Sequence, residues 1–293
     1  MSIQIVTDSA SDLPKELLQK HCINVVPLTI SHNRKTYLDG IDFSNEAFLK
    51  LLVTAEEAPK TSQPSIGTFL DLYDRLYQEN NDATILSIHM PEQLSGTVQA
   101  ARLAAEQTKA NVRVVDSGFV SSALGFQVIK AAQLAKEGYR IDEIVAELDL
   151  VRESTSLYCA LNTLDFLVKG GRINKGKAFI GSMLKIKPIA TLVNAEYTPV
   201  KAVRTYKQVL SFLKETFLIE TDGKVVKNIA IVHVHAEGLA NQLYAELREL
   251  VHPSTDIFVK EASPVISTHT GPGAIGLMYC GQERSNLERG ELI

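Results

Sequence analysis

The apolar positions change period along the chain, and each change marks an element. Ile3-Gln4-Ile5-Val6-Thr7-Asp8 alternates, then stops at Ser9-Ala10-Ser11-Asp12, and Pro14 opens a helical run to His21. Ile23-Asn24-Val25-Val26-Pro27-Leu28 follows after barely a turn, so the chain opens strand, helix, strand, which predicts a parallel sheet. Thr84-Ile85-Leu86-Ser87-Ile88 has no polar face and reads as a buried strand, and Val112-Arg113-Val114-Val115 continues the same sheet. Phe69, Leu70, Tyr73, Leu76 and Tyr77 keep helical spacing, and Ala100, Ala101, Leu103, Ala104 and Ala105 begin another helix. A longer helix runs from about 119 to 136 and stops at Gly138, where a glycine just past a helix end is expected. Ile144, Val145, Leu148 and Val151 share one face of a helix over 141–153.

The second half is patterned differently. Residues 157–161 read as a strand, followed by a helix, a basic glycine-containing loop and the apolar run 186–193. Asn194-Ala195-Glu196-Tyr197 reads as a hairpin connection with 198–203 returning, so antiparallel pairs are expected here. A helix around 206–218, a strand over 229–234, a helix over 237–251, a strand over 256–259 and a last apolar strand toward Ile266 complete the pattern. The fold class is α/β in two domains: residues 1–155, with a parallel, Rossmann-like sheet, and residues 156–293, with a mixed or antiparallel sheet.

Composition narrows the function without naming it. The 293 residues lie where single cores stop growing, at roughly 250–300, which suggests two domains. Apolar residues make up 45% and charged ones 22%, as in ordinary globular chains. With 30 basic and 34 acidic residues, the net charge of −4 offers no general attraction to nucleic acid or an anionic membrane. No run approaches the ~18 apolar residues of a membrane span, and the N-terminus lacks signal-peptide features, so a cytoplasmic location is expected. Cys22, Cys159 and Cys280 are far apart and lie in or beside apolar segments, which suits reduced core thiols. Cysteines and histidines show no metal-ligand spacing, and neither a metal nor a cofactor is expected.

Polar clusters follow the predicted parallel strands: 8–12, Ser95-Gly96-Thr97 and Asp116-Ser117-Gly118. Strand ends of a parallel sheet share one edge, where open α/β sheets bind ligands. Ser95 sits at the strand-to-helix junction, where free N–H groups and the helix dipole favour an anion; equally, a serine there can simply cap the helix. Thr61-Ser62-Gln63-Pro64-Ser65 is a dense hydroxyl group that also reads as a capped turn with Pro near the first helical position. His269 lies in the glycine-rich stretch 267–276, as a polar handle or a structural histidine. The basic loop 169–177 could grip an anion through Arg172 or be solvated surface. Phe179, Ile180, Met183 and Leu184 form one helical stripe, which could be core or tunnel wall.

Together, Thr61-Ser62-Gln63-Pro64, Leu94-Ser95-Gly96-Thr97, Lys169-Gly170-Gly171-Arg172-Ile173, Leu184-Lys185-Ile186-Lys187-Pro188-Ile189 and Thr268-His269-Thr270-Gly271-Pro272-Gly273 resemble the DegV family, in order and in spacing, over essentially the whole chain. The opening Val6-Thr7-Asp8-Ser9 fits as well. The resemblance implies a lipid-binding, non-catalytic protein: the fatty-acid-binding subunit of a bacterial fatty acid kinase. Such a subunit holds a long-chain fatty acid, for example palmitate, stearate or oleate, while a separate ATP-dependent kinase subunit phosphorylates the carboxylate for phospholipid synthesis. It further implies that Ser62 and Ser95 bind the carboxylate, that Thr61, the Gly96 N–H and His269 complete the polar end, and that Arg172 and Thr270 support it. Phe179, Ile180, Met183 and Leu184 are tunnel candidates, and Arg204 is a candidate for docking the kinase. Membrane contact would be at most transient. One departure stands out: His89-Met90-Pro91-Glu92-Gln93 replaces the short serine- and glycine-rich turn that the family more often has before this motif.

Hydroxyls and N–H groups suit that task, because they compensate a carboxylate without a buried salt bridge. At ~0.8 kcal/mol per buried CH₂, about fifteen methylenes contribute near 12 kcal/mol before ordering costs. The residues also permit a serine hydrolase or acyltransferase using Ser95 and His269, although Gly-x-Ser-x-Gly does not occur. A metal-dependent phosphohydrolase on Asp8 and Asp12 or Asp116 is a third reading, with those aspartates equally explained as caps. No phosphate-binding glycine loop of a nucleotide-dependent kinase is present.

Overall fold

Every residue of Thr84–His89 is buried in the computed structural model, which describes residues 2–173 and 186–283. The chain divides into two compact units: residues up to Phe48, with Pro59–Glu153 and Ser263–Val265, and a second of Leu49–Ala58, Ser154–Ala262 and the residues from Ile266 on. In chain order the first elements are β1 (Ile3–Asp8), α1 (Lys15–Lys20), β2 (Asn24–Val26), β3 (Thr29–His32), β4 (Lys35–Leu38), α2 (Asn45–Thr54), β5 (Lys60–Ser62), α3 (Ile66–Glu79), β6 (Thr84–His89), α4 (Thr97–Ala105), β7 (Asn111–Asp116), α5 (Ser121–Glu137) and α6 (Ile141–Ser154). Four strands form a parallel sheet in the order β2-β1-β6-β7, with Val6 opposite Ser87 and Ile88 opposite Val115. A parallel strand covered on both faces needs apolar residues on both, so β6 carries almost no alternation. On one face Phe69, Tyr73 and Leu76 of α3 pack with Val6, Ile85 and Ala100, Ala101 and Ala104 of α4. Gly138, at φ 88, ends α5.

A small antiparallel sheet, β4-β3-β5, was not visible in the pattern. Its hairpin turns on Asn33 and Arg34, both at positive φ (48° and 61°); asparagine is a usual signal for such a turn, but arginine stands where glycine would complete it. Thr61 and Ser62 lie on β5 rather than in a capped turn, and Ser65 caps α3 by accepting the Thr68 N–H at 3.0 Å.

The remaining elements are β8 (Thr155–Ala160), α7 (Asp165–Lys169), β9 (Lys187–Val193), β10 (Glu196–Val203), α8 (Tyr206–Glu220), β11 (Lys224–His233), α9 (Glu237–Arg248), β12 (Asp256–Glu261), α10 (Pro264–Thr270) and β13 (Ile275–Glu283). Their sheet runs β10-β9-β8-β13-β11-β12 and is antiparallel except for β11 with β12. Leu213 and Phe217 of α8 and Leu243 and Leu247 of α9 pack with Ile229 and Tyr279 of the sheet. Asn194 and Ala195, at φ 51° and 60°, make a two-residue turn, so β10 already resumes at Glu196.

The expected last strand toward Ile266 is instead the helix α10, and the last described strand is β13, inside the sheet. Val265, Ile266, Thr268 and Thr270 favour strand, but Pro264 at the first helical position and the surrounding packing override that preference. Cys22 is exposed in a turn, contrary to a core role, whereas Cys159 and Cys280 are buried free thiols. Among the described residues, no helix is long and apolar enough to cross a membrane.

Two aspartates of the first unit grip the start of α10. Asp12 accepts the Ser263 N–H at 2.8 Å and the Ser121 hydroxyl at 2.5 Å, and Asp39 accepts the Val265 N–H at 3.1 Å. Burial pushes the Asp39 carboxyl up to about 7, against the hydrogen bonds from Ser9 and Val265. Between roughly pH 4 and 7 the folded chain therefore holds a proton that the unfolded chain has released, and stability falls as pH rises through that window. Relative to Asp39→Asn, the wild type is expected to lose up to about 4 kcal/mol from pH 4 to 8. Urea unfolding of both proteins across this range measures the difference, and a gap independent of pH would contradict it.

Candidate functional site

The strand ends of the parallel sheet meet at one edge. Asp8 closes β1 and accepts the N–H groups of Ala10 at 3.0 Å and Met90 at 2.9 Å. Asp116 closes β7 and accepts the Glu92 N–H at 3.1 Å, and the Ser117 N–H bonds the His89 carbonyl at 3.0 Å. These bonds fix the segment that leaves β6. It turns where the N–H groups of Leu94 and Ser95 both reach the Pro91 carbonyl, at 3.0 and 3.1 Å.

Ser95 is not a helix cap. Gly96 occupies the cap position of α4 with no side-chain bond, and the Ser95 hydroxyl pairs with that of Thr97 at 2.8 Å. Thr97 is wholly buried whereas Ser95 is partly exposed. A buried hydroxyl proton needs an acceptor, so Thr97 donates to Ser95 and leaves the Ser95 O–H as an outward donor beside the start of α4. The 61–64 stretch comes to the same place: a Cβ on Gly96 would overlap the Gln63 side-chain amide. Ser62 is exposed on β5, and its hydroxyl has no partner among the described residues; Thr61 is half-buried.

The second unit builds a cluster of its own. His269 is the penultimate residue of α10 rather than part of the following glycine loop. A Cβ on Gly170 would overlap its imidazole, so the 169–172 stretch and His269 are packed together. Arg172 donates to the Gly170 carbonyl at 2.6 Å. Burial, then the Arg172 charge, push the His269 imidazole down to about 4, so it is neutral near pH 7. The Thr270 hydroxyl bonds the Ile266 carbonyl at 2.9 Å. Nearby in the fold, Tyr206 donates to the Gly273 carbonyl at 3.0 Å, and the Lys187 ammonium lies 3.7 Å over the Tyr206 ring. Arg204 is exposed just before α8, its N–H on Gln208. Phe179, Ile180, Met183 and Leu184 lie outside the described residues.

The family profile described as an uncharacterised protein of the DegV family matches residues 2–282. The chain belongs to the DegV family. A DegV domain-containing protein of Listeria monocytogenes is 40% identical over 278 residues, covering 94% of this chain and 98% of the relative. Among solved structures, one concerned with fatty acid binding of a DegV family protein from Thermus thermophilus is similar with a TM-score of 0.90 at 32% identity, over 96% of this chain and all of the other. DegV from Bacillus subtilis, described as a fatty acid binding protein, is similar with a TM-score of 0.88 at 32% identity, over 96% of this chain and 100% of its own.

One constellation of this DegV-family chain escaped the sequence reading. Tyr73, Ser87, His89 and Asp8 are joined in series: Tyr73 and Ser87 hydroxyls at 2.7 Å, Ser87 and His89 Nε2 at 2.7 Å, His89 Nδ1 and Asp8 at 3.0 Å. The signal was the alternate pair Ser87 and His89 on one strand, beside a neighbouring strand ending in aspartate. The connectivity is that of a Ser-His-Asp triad, yet all four residues are wholly buried, so no substrate meets this serine. Among the described residues the Ser95 hydroxyl bonds Thr97, whereas a hydrolase reading of Ser95 calls for a base beside it.

Proposed function

We propose that this chain binds a long-chain fatty acid, with its carboxylate held by Ser95 and Ser62 beside the start of α4, and presents it to a separate ATP-dependent kinase subunit for conversion to the acyl phosphate. The observation that supports this most is the outward Ser95 hydroxyl, oriented by buried Thr97 and joined by the 61–64 stretch, in a fold shared along its length with two relatives described as binding fatty acids. Thr61 and the Gly96 N–H extend the donor set; His269 and Arg172 are the second unit's candidates for ligand binding, and Thr270 for their support. The neutral state of His269 adds no buried charge.

Hydroxyls are sufficient for such a load, and the protein itself provides an example. The Glu220 carboxylate accepts the hydroxyls of Ser156 at 2.6 Å, Tyr279 at 2.7 Å and Tyr158. Burial pushes this carboxyl up, but the three hydroxyls, with a smaller contribution from the Lys224 charge, outweigh it and hold it below its ordinary range. A fatty-acid carboxylate held by hydroxyls and N–H groups alone keeps its oxygens unencumbered by a cation and open to phosphoryl transfer. Arg204, exposed before α8, is the candidate for kinase docking.

Native mass spectrometry of the purified protein is expected to show a co-purified fatty acid. Delipidated protein that takes up neither palmitate nor oleate would sink the reading. Adding the cognate kinase and ATP to the loaded protein is expected to yield acyl phosphate, trapped as the hydroxamate; a loaded chain that remains inert would leave binding and remove presentation.

A further inference from the structure

The buried series Tyr73, Ser87, His89 and Asp8 is satisfied along its whole length by one continuous arrangement of protons. Asp8 accepts N–H groups through both oxygens, from Ala10 and from Met90, so it is present as a carboxylate acceptor and the His89 Nδ1–H must donate to it. With Nε2 as the acceptor, Ser87 donates to it, and the Ser87 oxygen receives the Tyr73 proton. Every hydroxyl and ring proton is used. Reversing the series would leave the Tyr73 proton buried without an acceptor, at the cost of desolvating it. The Phe69 ring stands edge-on to His89 with centroids 5.0 Å apart and fixes the imidazole plane.

What this order holds in place is the segment that ends at Ser95. Asp8 binds both the His89 ring and the Met90 N–H, so the series clamps the first residue after β6, five residues before Ser95, which the Pro91 turn delivers. The segment has the sequence Met90-Pro91-Glu92-Gln93-Leu94, and the Glu92 N–H on Asp116 anchors it a second time. We propose that His89 is a positioning residue for carboxylate recognition: acting through Asp8 and Met90, it sets the place from which Ser95 donates. This deepens the fatty-acid reading and rests on it, since it assigns the carboxylate to Ser95.

The test compares palmitate with hexadecanol, which has the same chain and no carboxylate, by displacement of a fluorescent fatty acid from delipidated protein. His89→Leu is expected to weaken palmitate binding about tenfold, the size of one misplaced charge-assisted hydrogen bond, with hexadecanol binding unchanged. His89→Asn, whose amide N–H can replace Nδ1–H toward Asp8, is expected to restore most of the palmitate preference. Asp8→Asn, equal in size but unable to accept on both sides, is expected to lose it, and provides a second route if His89→Leu fails to fold by circular dichroism. Equal weakening of both ligands, or an unchanged ratio in both variants, overturns the positioning role. Ser95→Ala run in parallel separates the two claims: if it too leaves the ratio unchanged, the assignment of the carboxylate to Ser95 is what fails. With Ser95 already removed, His89→Leu is expected to add no further loss of preference.

Discussion

Ser95→Ala is expected to weaken fatty acid binding by about ten- to a hundredfold while the chain stays folded. A hydrogen bond to a charged group is worth roughly 1.5–3 kcal/mol, and the alanine removes the donor without filling the space. The substitution has a second, smaller effect. Thr97 is wholly buried and gives its proton to Ser95, so the variant leaves that proton unpaired, at about 1 kcal/mol or more of stability. Isothermal titration of delipidated protein with palmitate, alongside urea unfolding, separates the two losses. Unchanged affinity would remove Ser95 from the site. The same residue decides between function classes: covalent labelling of Ser95 by a fluorophosphonate would favour a hydrolase, whereas a pure hydrogen-bond donor stays unlabelled.

Gly271→Ala is expected to be the most destabilising of the substitutions considered, by about 3 kcal/mol or more, from left-handed backbone strain and overpacking together. Gly271 has φ 73°, and a Cβ there would fall inside the Phe166 ring. Its N–H closes the end of α10 on the Ser267 carbonyl at 2.9 Å, and its own carbonyl takes the Ala274 N–H at 3.3 Å as the chain turns into β13. The glycine therefore ends one element, starts a central strand and admits an aromatic ring, and an alanine opposes all three. Urea unfolding followed by circular dichroism measures the loss. A variant within about 0.5 kcal/mol of wild type, the range of an innocuous surface change, would show that the turn and Phe166 rearrange freely.

The elements that the pattern revealed are those whose stabilisation is periodic along the chain. β1, β6 and β7 announced themselves as apolar runs, α3 by its spacing, and the end of α5 by Gly138. The elements it missed depend on distant partners. β3, β4 and β5 are three or four residues long, and their turn follows Asn33 with Arg34, where the usual signal is glycine. α10 carries β-branched residues that argue for strand and is held at its start by Asp12 and Asp39, far away in sequence. The site followed the same division. Its motifs and their hydroxyls were legible as residue types, but Ser65, not the preceding turn, caps α3, and Ser95 caps nothing.

By itself the sequence determined the α/β class, with a parallel sheet in one half and a mixed sheet in the other, because burial imposes a local period that any window of residues displays. It also determined membership of the DegV family, because the motifs keep their order and spacing. Only the tertiary structure decided which proton each buried hydroxyl gives away. Thr97 donating to Ser95, and Tyr73 to Ser87, His89 and Asp8 in series, depend on which strands lie side by side and on which groups are closed off from water. A buried polar group must find its partner in space, and the distance along the chain says nothing about where that partner is.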